Sequence, residues 1–157
     1  MRQIAILLFL TLVPACSPDP ARAAWRRGEA ITQIVAERAR AVDPGASISL
    51  RDLAPFRWER LYVVDGTGPG GAGALGDSLG SGWAAVAAAR PAALAGDPLL
   101  VFLAGGQVIA AAALPAAAAG LAPALVGHGY APDEAAFRVE RAAATADEPN
   151  PTPRLVP

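Results

Sequence analysis

The period of apolar and polar positions changes several times along the chain. Ile4 to Val13 is a ten-residue run, apolar but for Thr11, behind the short positive start Met1-Arg2-Gln3. From about Ala23 to Val42, the apolar residues Ala24, Ile31, Ile34, Val35, Ala39 and Val42 recur at spacings of three, four and seven. Arg26, Arg27, Glu29, Glu37 and Arg40 lie mostly off that stripe. This predicts an amphipathic helix, stopped by Asp43-Pro44-Gly45. Ala46 to Leu50 alternates with period two and predicts a half-buried strand. Asp52 to Trp58 reads as a loop carrying two aromatics, and Arg60 to Asp65 as the clearest strand of the chain.

Gly66 to Gly82 holds eight glycines in seventeen residues and predicts a loop, with room for one short helix near Ala74 to Leu79. Ala84 to Ala89 reads as helical and is ended by Pro91. Leu99 to Leu103 and Gln107 to Ala113 predict two strands joined at Gly105-Gly106, because both turn positions can take positive φ. Pro115 to Val126 reads as irregular or weakly helical, and Ala135 to Arg141 as a last strand. Ala142 to Pro157, with Pro149, Pro151, Pro153 and Pro157 among small and polar residues, predicts a disordered tail. Together these elements predict an α+β domain over residues 23–141, with an N-terminal helix packed on a mixed or antiparallel sheet of about five strands.

From Pro98 to Pro132 there is no charged residue. A membrane span is a poor account of this stretch. Pro98 and Pro115 bracket too few residues to cross a hydrocarbon core of about 30 Å, and Gly105-Gly106-Gln107 interrupts them. A hairpin buried on one face explains the same letters. Composition adds to the picture here. Of 157 residues 39 are alanine, and all thirteen basic residues are arginine. Such a bias resembles a GC-rich codon table and predicts that many alanines are neutral filler.

The apolar run at the start is shorter than the roughly 20 residues of a membrane-spanning helix and has the form of an export signal. Val13-Pro14-Ala15-Cys16 follows it directly and resembles the bacterial lipobox. The sole cysteine stands where the lipid would be attached. The reading is a lipoprotein signal peptide over residues 1–15, lipidation (a palmitate-type acyl anchor) at Cys16, and a tether over residues 16–22. Ordinary signal cleavage after Ala15 or Ala23 is the rival. The mature chain would then face the periplasm from the cell envelope, with Ser17 favouring the outer membrane slightly. Its expected partners are the membrane, through the anchor, and an envelope protein.

Candidate chemistry is sparse. One His and one Cys exclude a zinc site built from several such ligands and any disulfide within the chain. A net charge of −1 with no basic patch argues against nucleic acid. Gly66-Thr67-Gly68-Pro69-Gly70-Gly71 has dinucleotide-loop spacing after a strand. No helix and second strand ending in an acid follow it, and nucleotides are scarce outside the cytoplasm, so no cofactor is expected. Gly76-Asp77-Ser78-Leu79 spells the signature of the GDSL hydrolases, with His128 as the one available base. The elbow needs its serine directly after a strand, whereas Asp65 ends the nearest strand ten glycine-rich residues earlier. A small serine hydrolase is therefore the alternative, and a binding or scaffolding module without catalysis the main reading. Trp25, Trp58 and Trp83 are expected in or at the core.

Phe56-Arg57-Trp58-Glu59-Arg60-Leu61-Tyr62-Val63-Val64, followed by Gly68-Pro69, resembles a family of small bacterial envelope lipoproteins without assigned activity. In that family a Trp-acid pair leads into a Tyr-bearing strand and a Gly-Pro turn. Leu79-Gly80 with Trp83, Leu99 to Phe102 with Gly105 to Val108, and Gly129 to Val139 resemble its later segments in the same order. The family has an aromatic after the Gly-Pro, where Gly70 stands here. The resemblance implies no catalytic residues. It directs attention to Trp58 and Tyr62, four apart, as a candidate binding face on one side of a strand.

Overall fold

The computed structural model describes residues 19–66, 75–76, 78–143, 145 and 150–157. The expected signal segment, Cys16, Asp77 and most of the glycine-rich loop lie outside the described residues.

Helix α1 spans Pro20–Ala41. It starts earlier than the apolar stripe suggests, because Asp19 and Pro20 make a helix start. The Asp19 carboxylate accepts the Ala21 N–H at 3.0 Å, and proline is suited to the first helical position. Residues 20–22, expected in a tether, are therefore helical. At the other end Arg141 donates to the carbonyls of Ala39 (2.7 Å), Arg40 (2.7 Å) and Val42 (2.8 Å). It satisfies acceptors that a helix C-terminus leaves open and places a cation at the negative end of the dipole.

Strand β1 (Ser47–Ser49), the single-turn helix α2 (Leu50–Leu53), β2 (Arg60–Val64) and helix α3 (Trp83–Ala88) follow. Then come β3 (Leu99–Ala104), β4 (Gln107–Ala113), β5 (Gly120–Leu121), β6 (Gly129–Tyr130), β7 (Ala136–Glu140) and β8 (Arg154–Val156). The α+β class is as expected, but the strands form two four-stranded sheets rather than one sheet of about five. The central sheet has the order β4-β3-β2-β6 and is antiparallel throughout. The outer sheet has the order β1-β7-β8-β5, with β5 and β8 parallel. Gly105 and Gly106 take φ 56° and 70° and form the expected two-residue turn between β3 and β4.

The central sheet is buried on both faces. On one face Leu61, Val63, Leu100 and Phe102 meet Ile48, Phe137, Val139 and Leu155 of the outer sheet. On the other Val64, Leu99, Val101 and Leu103 meet Trp25, Leu79, Trp83 and Val86. This corrects the expectation of a hairpin buried on one face. A strand covered on both sides has no polar face, so its sequence reads as a continuous apolar run. The alanines of β4 are not filler either. Ala110, Ala111 and Ala112 are 0 % exposed, and α1 lies directly against them.

The expected disordered tail is corrected as well. Arg154–Val156 forms β8, an inner strand between β7 and β5, with Leu155 and Val156 buried. Prolines dominate the composition of residues 149–157, yet Pro153 ends just before the strand, and the three residues after it keep their N–H groups for pairing.

Candidate functional site

The sequence-predicted residues do not converge. Ser78 sits in a turn in which its N–H reaches the Leu75 carbonyl at 2.8 Å. Leu79 is buried behind it, and Ser81 bridges to Gln107 at the start of β4. His128 lies just before β6, and its carbonyl accepts the Val63 N–H at 3.3 Å. β4 and β6 are opposite edges of the central sheet, three strand spacings or about 14 Å apart. The chain segments that carry Ser78 and His128 are thus anchored at different edges, with β3 and β2 between them.

Trp58 and Tyr62 do not share a face. Trp58 packs edge-on against Phe102, with ring centroids 5.5 Å apart, in the core toward the outer sheet. Tyr62 lies against the opposite cluster, and its ring covers Gly129 of β6. The expectation assumed a strand running back through Glu59. β2 begins at Arg60, so the period-two rule does not extend to Trp58. Trp25, Trp58 and Trp83 are all buried, and Trp25 Nε1 donates to the Val86 carbonyl at 2.8 Å.

Among the concavities formed by the described residues, two set apolar walls beside charged side chains distant in sequence. The first is a groove of about 540 Å³ between α1 and the turn that follows α3. Trp25, Pro91 and Leu94 wall it, Ala111 and Ala113 of β4 form its floor, and Arg26, Glu29 and Gln33 line the helix side. Its size falls within the range of about 300–1,000 Å³ typical of ligand sites.

The far wall is held by Arg90. Its guanidinium donates to the carbonyls of Gly66 (3.2 Å), Leu94 and Asp97 (2.6 Å). Desolvation lowers its pKa from the ordinary arginine value, and the Asp97 charge opposes that shift. Pro91 to Asp97 is thereby closed into a compact loop although it contains only one 3-10 turn, Ala92–Leu94.

The second concavity is an open depression of about 800 Å³ lined by Arg51, Pro55, Phe56, Arg57, Trp58 and Pro132. Phe56 packs edge-on against Phe102 at 5.5 Å, which fixes the aromatic side of the depression to the core. Tyr130 lies nearby in the chain and packs edge-on on Phe137 at 5.2 Å; its hydroxyl reaches the Leu125 carbonyl at 3.4 Å. Burial raises the Tyr130 pKa.

Sequence reading missed both concavities, because each joins segments whose proximity depends on sheet order. The one available signal was the small-residue pattern. Gly28 on the helix and the alanines after a Gly-Gly turn are residues that let two backbones approach closely. Among the described residues no helix is long and apolar enough to cross a membrane, and no group of three or more His, Cys, Asp or Glu is placed to hold a metal ion. No family model, curated protein or solved structure matches the chain.

Proposed function

We propose that this chain is a lipid-anchored protein of the bacterial cell envelope, facing the periplasm, that binds a protein partner through the groove between α1 and the Pro91–Leu94 turn. The observation that carries the binding reading is the groove itself. It pairs an alanine floor and Trp25, Pro91 and Leu94 walls with a polar rim of Arg26, Glu29 and Gln33. Such a site accepts one or two apolar side chains of a partner while the rim pairs with its polar flank. The envelope reading rests on the apolar run Ile4 to Val13, on Ala15-Cys16 behind it, and on the resemblance to envelope lipoproteins.

Each half has its own test. Intact-mass spectrometry of the mature protein is expected to show a chain beginning at Cys16 with added acyl mass. A chain beginning at Ala24, or at Cys16 without acyl mass, would remove the anchor. For the groove, a photo-crosslinker at Gln33 in intact envelopes is expected to yield one discrete protein adduct. Ala93→Trp, placed on the exposed rim, is expected to abolish that adduct without changing the melting temperature. An adduct unaffected by Ala93→Trp would show that the partner does not enter the groove.

A further inference from the structure

We infer that the end of the central sheet carrying the first turn of α1 faces the bilayer, and that Arg51 and Arg57 there seat the phosphate of an anionic phospholipid headgroup. This rests on the anchor at Cys16 proposed above. Cys16 stands three residues before Asp19, and three fully extended residues reach only about 10 Å. An acylated Cys16 therefore holds the start of α1 close to the lipid surface.

The strand register identifies what lies at the same end. Pro20 and Ala21 line a small depression together with Ser81, Gly82, Gln107 and Val108, so the helix begins beside the first residues of β4. Gln107 pairs with Ala104 across the hairpin turn, and Arg60 pairs with Leu103. The Glu59 carboxylate accepts the Gly105 N–H at 2.9 Å. Leu61 pairs with Tyr130, which brings Ala131 and Pro132 level with the start of β2. The depression lined by Arg51, Phe56, Arg57 and Pro132 thus opens at the end of the sheet where α1 begins.

Its chemistry suits a headgroup. Arg51 and Arg57 are exposed, line the depression, and have no hydrogen-bond or ion-pair partner among the described residues. Among the described residues no acidic one lines it. Arg60, at the same end, is already paired with Glu134, as Arg22 is with Asp19. Guanidinium groups bind phosphate through paired N–H donors. Pro55, Phe56 and Pro132 offer an apolar ledge beside them, and side chains with an apolar body and a charged tip settle at the boundary between headgroups and acyl chains.

The test uses the mature lipoprotein reconstituted in vesicles of phosphatidylcholine, with or without phosphatidylglycerol, and reads amide hydrogen exchange. Exchange over residues 51–58 is expected to slow several-fold when phosphatidylglycerol is present, while the Pro91–Asp97 turn at the opposite end of the sheet stays unchanged. Arg51→Gln/Arg57→Gln is expected to remove that protection and leave the acyl mass intact. Equal exchange over 51–58 in both vesicle types, on protein whose mass shows acyl chains, would overturn the headgroup seat alone. Protein without acyl chains would overturn the anchor on which the orientation rests. Protection reproduced in phosphatidylcholine vesicles by soluble glycerol phosphate would overturn the bilayer as the source of the anion.

Discussion

The central sheet has two edges, and they are closed by different physics. At the β4 edge the carbonyls of alternate residues meet helix α1. Arg27 donates to Ile109 O at 3.1 Å, and Thr32 to Ala113 O at 2.7 Å. Between them Gly28 lies so close that a Cβ there would stand 1.8 Å from Ala111 O. At the opposite edge β6 is two residues long, and the Tyr62 ring covers its Gly129; a Cβ there would meet Tyr62 Cε1 at 2.5 Å. One edge is sealed by helix backbone against strand backbone; the other is a two-residue strand with a ring packed over its face. The helix shields β4 carbonyls that would otherwise be free to pair with another chain, and the shortness of β6 leaves little edge to pair with. They differ in how much they can give, since the Ala111 carbonyl belongs to a strand pinned along its other side to β3, whereas a half-buried tyrosine ring can rotate.

The sharpest test of that contrast is Gly28→Ala. Helix propensity alone would favour alanine by about 1 kcal/mol. The clash with Ala111 O forces α1 away from β4, so we expect a net loss of about 3 kcal/mol or more, read by urea unfolding. A neutral or stabilising result would mean that the helix seats loosely and that the contrast between the edges is wrong.

Next in size is the turn that sets β4 in place. Gly105→Val/Gly106→Val puts β-branched residues at φ 56° and 70°. At about 1–2 kcal/mol per left-handed residue, a loss of roughly 2–4 kcal/mol is expected. The loss should appear as a lower denaturation midpoint.

Gly129→Ala is the matched control at the soft edge. The clash falls on an outer ring atom, so a cost of about 1 kcal/mol is expected. It should be coupled to Tyr62: in a double-mutant cycle with Tyr62→Ala, most of the alanine penalty disappears. Equal penalties for Gly28→Ala and Gly129→Ala would erase the distinction.

The smallest effect concerns Tyr130, the second residue of β6. Its folded pKa is raised by burial, so the neutral phenol is favoured in the folded state. The resulting stability is fully present below the unfolded value of about 10 and is lost as pH rises through the higher folded value. Tyr130→Phe should remove that alkaline decline while leaving the profile at neutral pH flat.

Elements defined by their own residues were legible in advance. The α1 stripe, the β2 strand, the Gly105-Gly106 turn and the β3–β4 pair follow from periodicity and from backbone conformations open to glycine. The elements misread are those whose form depends on a neighbour. β8 is only three residues long and follows Pro153, and it is a strand because β7 and β5 flank it. β5 lies in a stretch with no periodicity and, among the described residues, pairs with β8 alone. Trp58 and Tyr62 were placed on one face by counting residues, and the strand start at Arg60 puts them on opposite sides.

Local sequence therefore determined the helix, the principal strands and the hairpin, because dihedral preference and hydrophobic period act within a few residues. It also supplied the apolar run before Ala15-Cys16 on which the proposed anchor rests, a pattern of residue order alone. Tertiary structure decided the rest. It made two sheets from strands that could have formed one, and it turned the alanines of β4 from apparent filler into the floor of a groove. It also separated Ser78 from His128 and grouped Arg51 with Arg57, Phe56 and Pro132. The physical reason is the same in each case. A small residue, a short strand or an unpaired arginine has almost no local preference, so its role is set by what the fold packs against it.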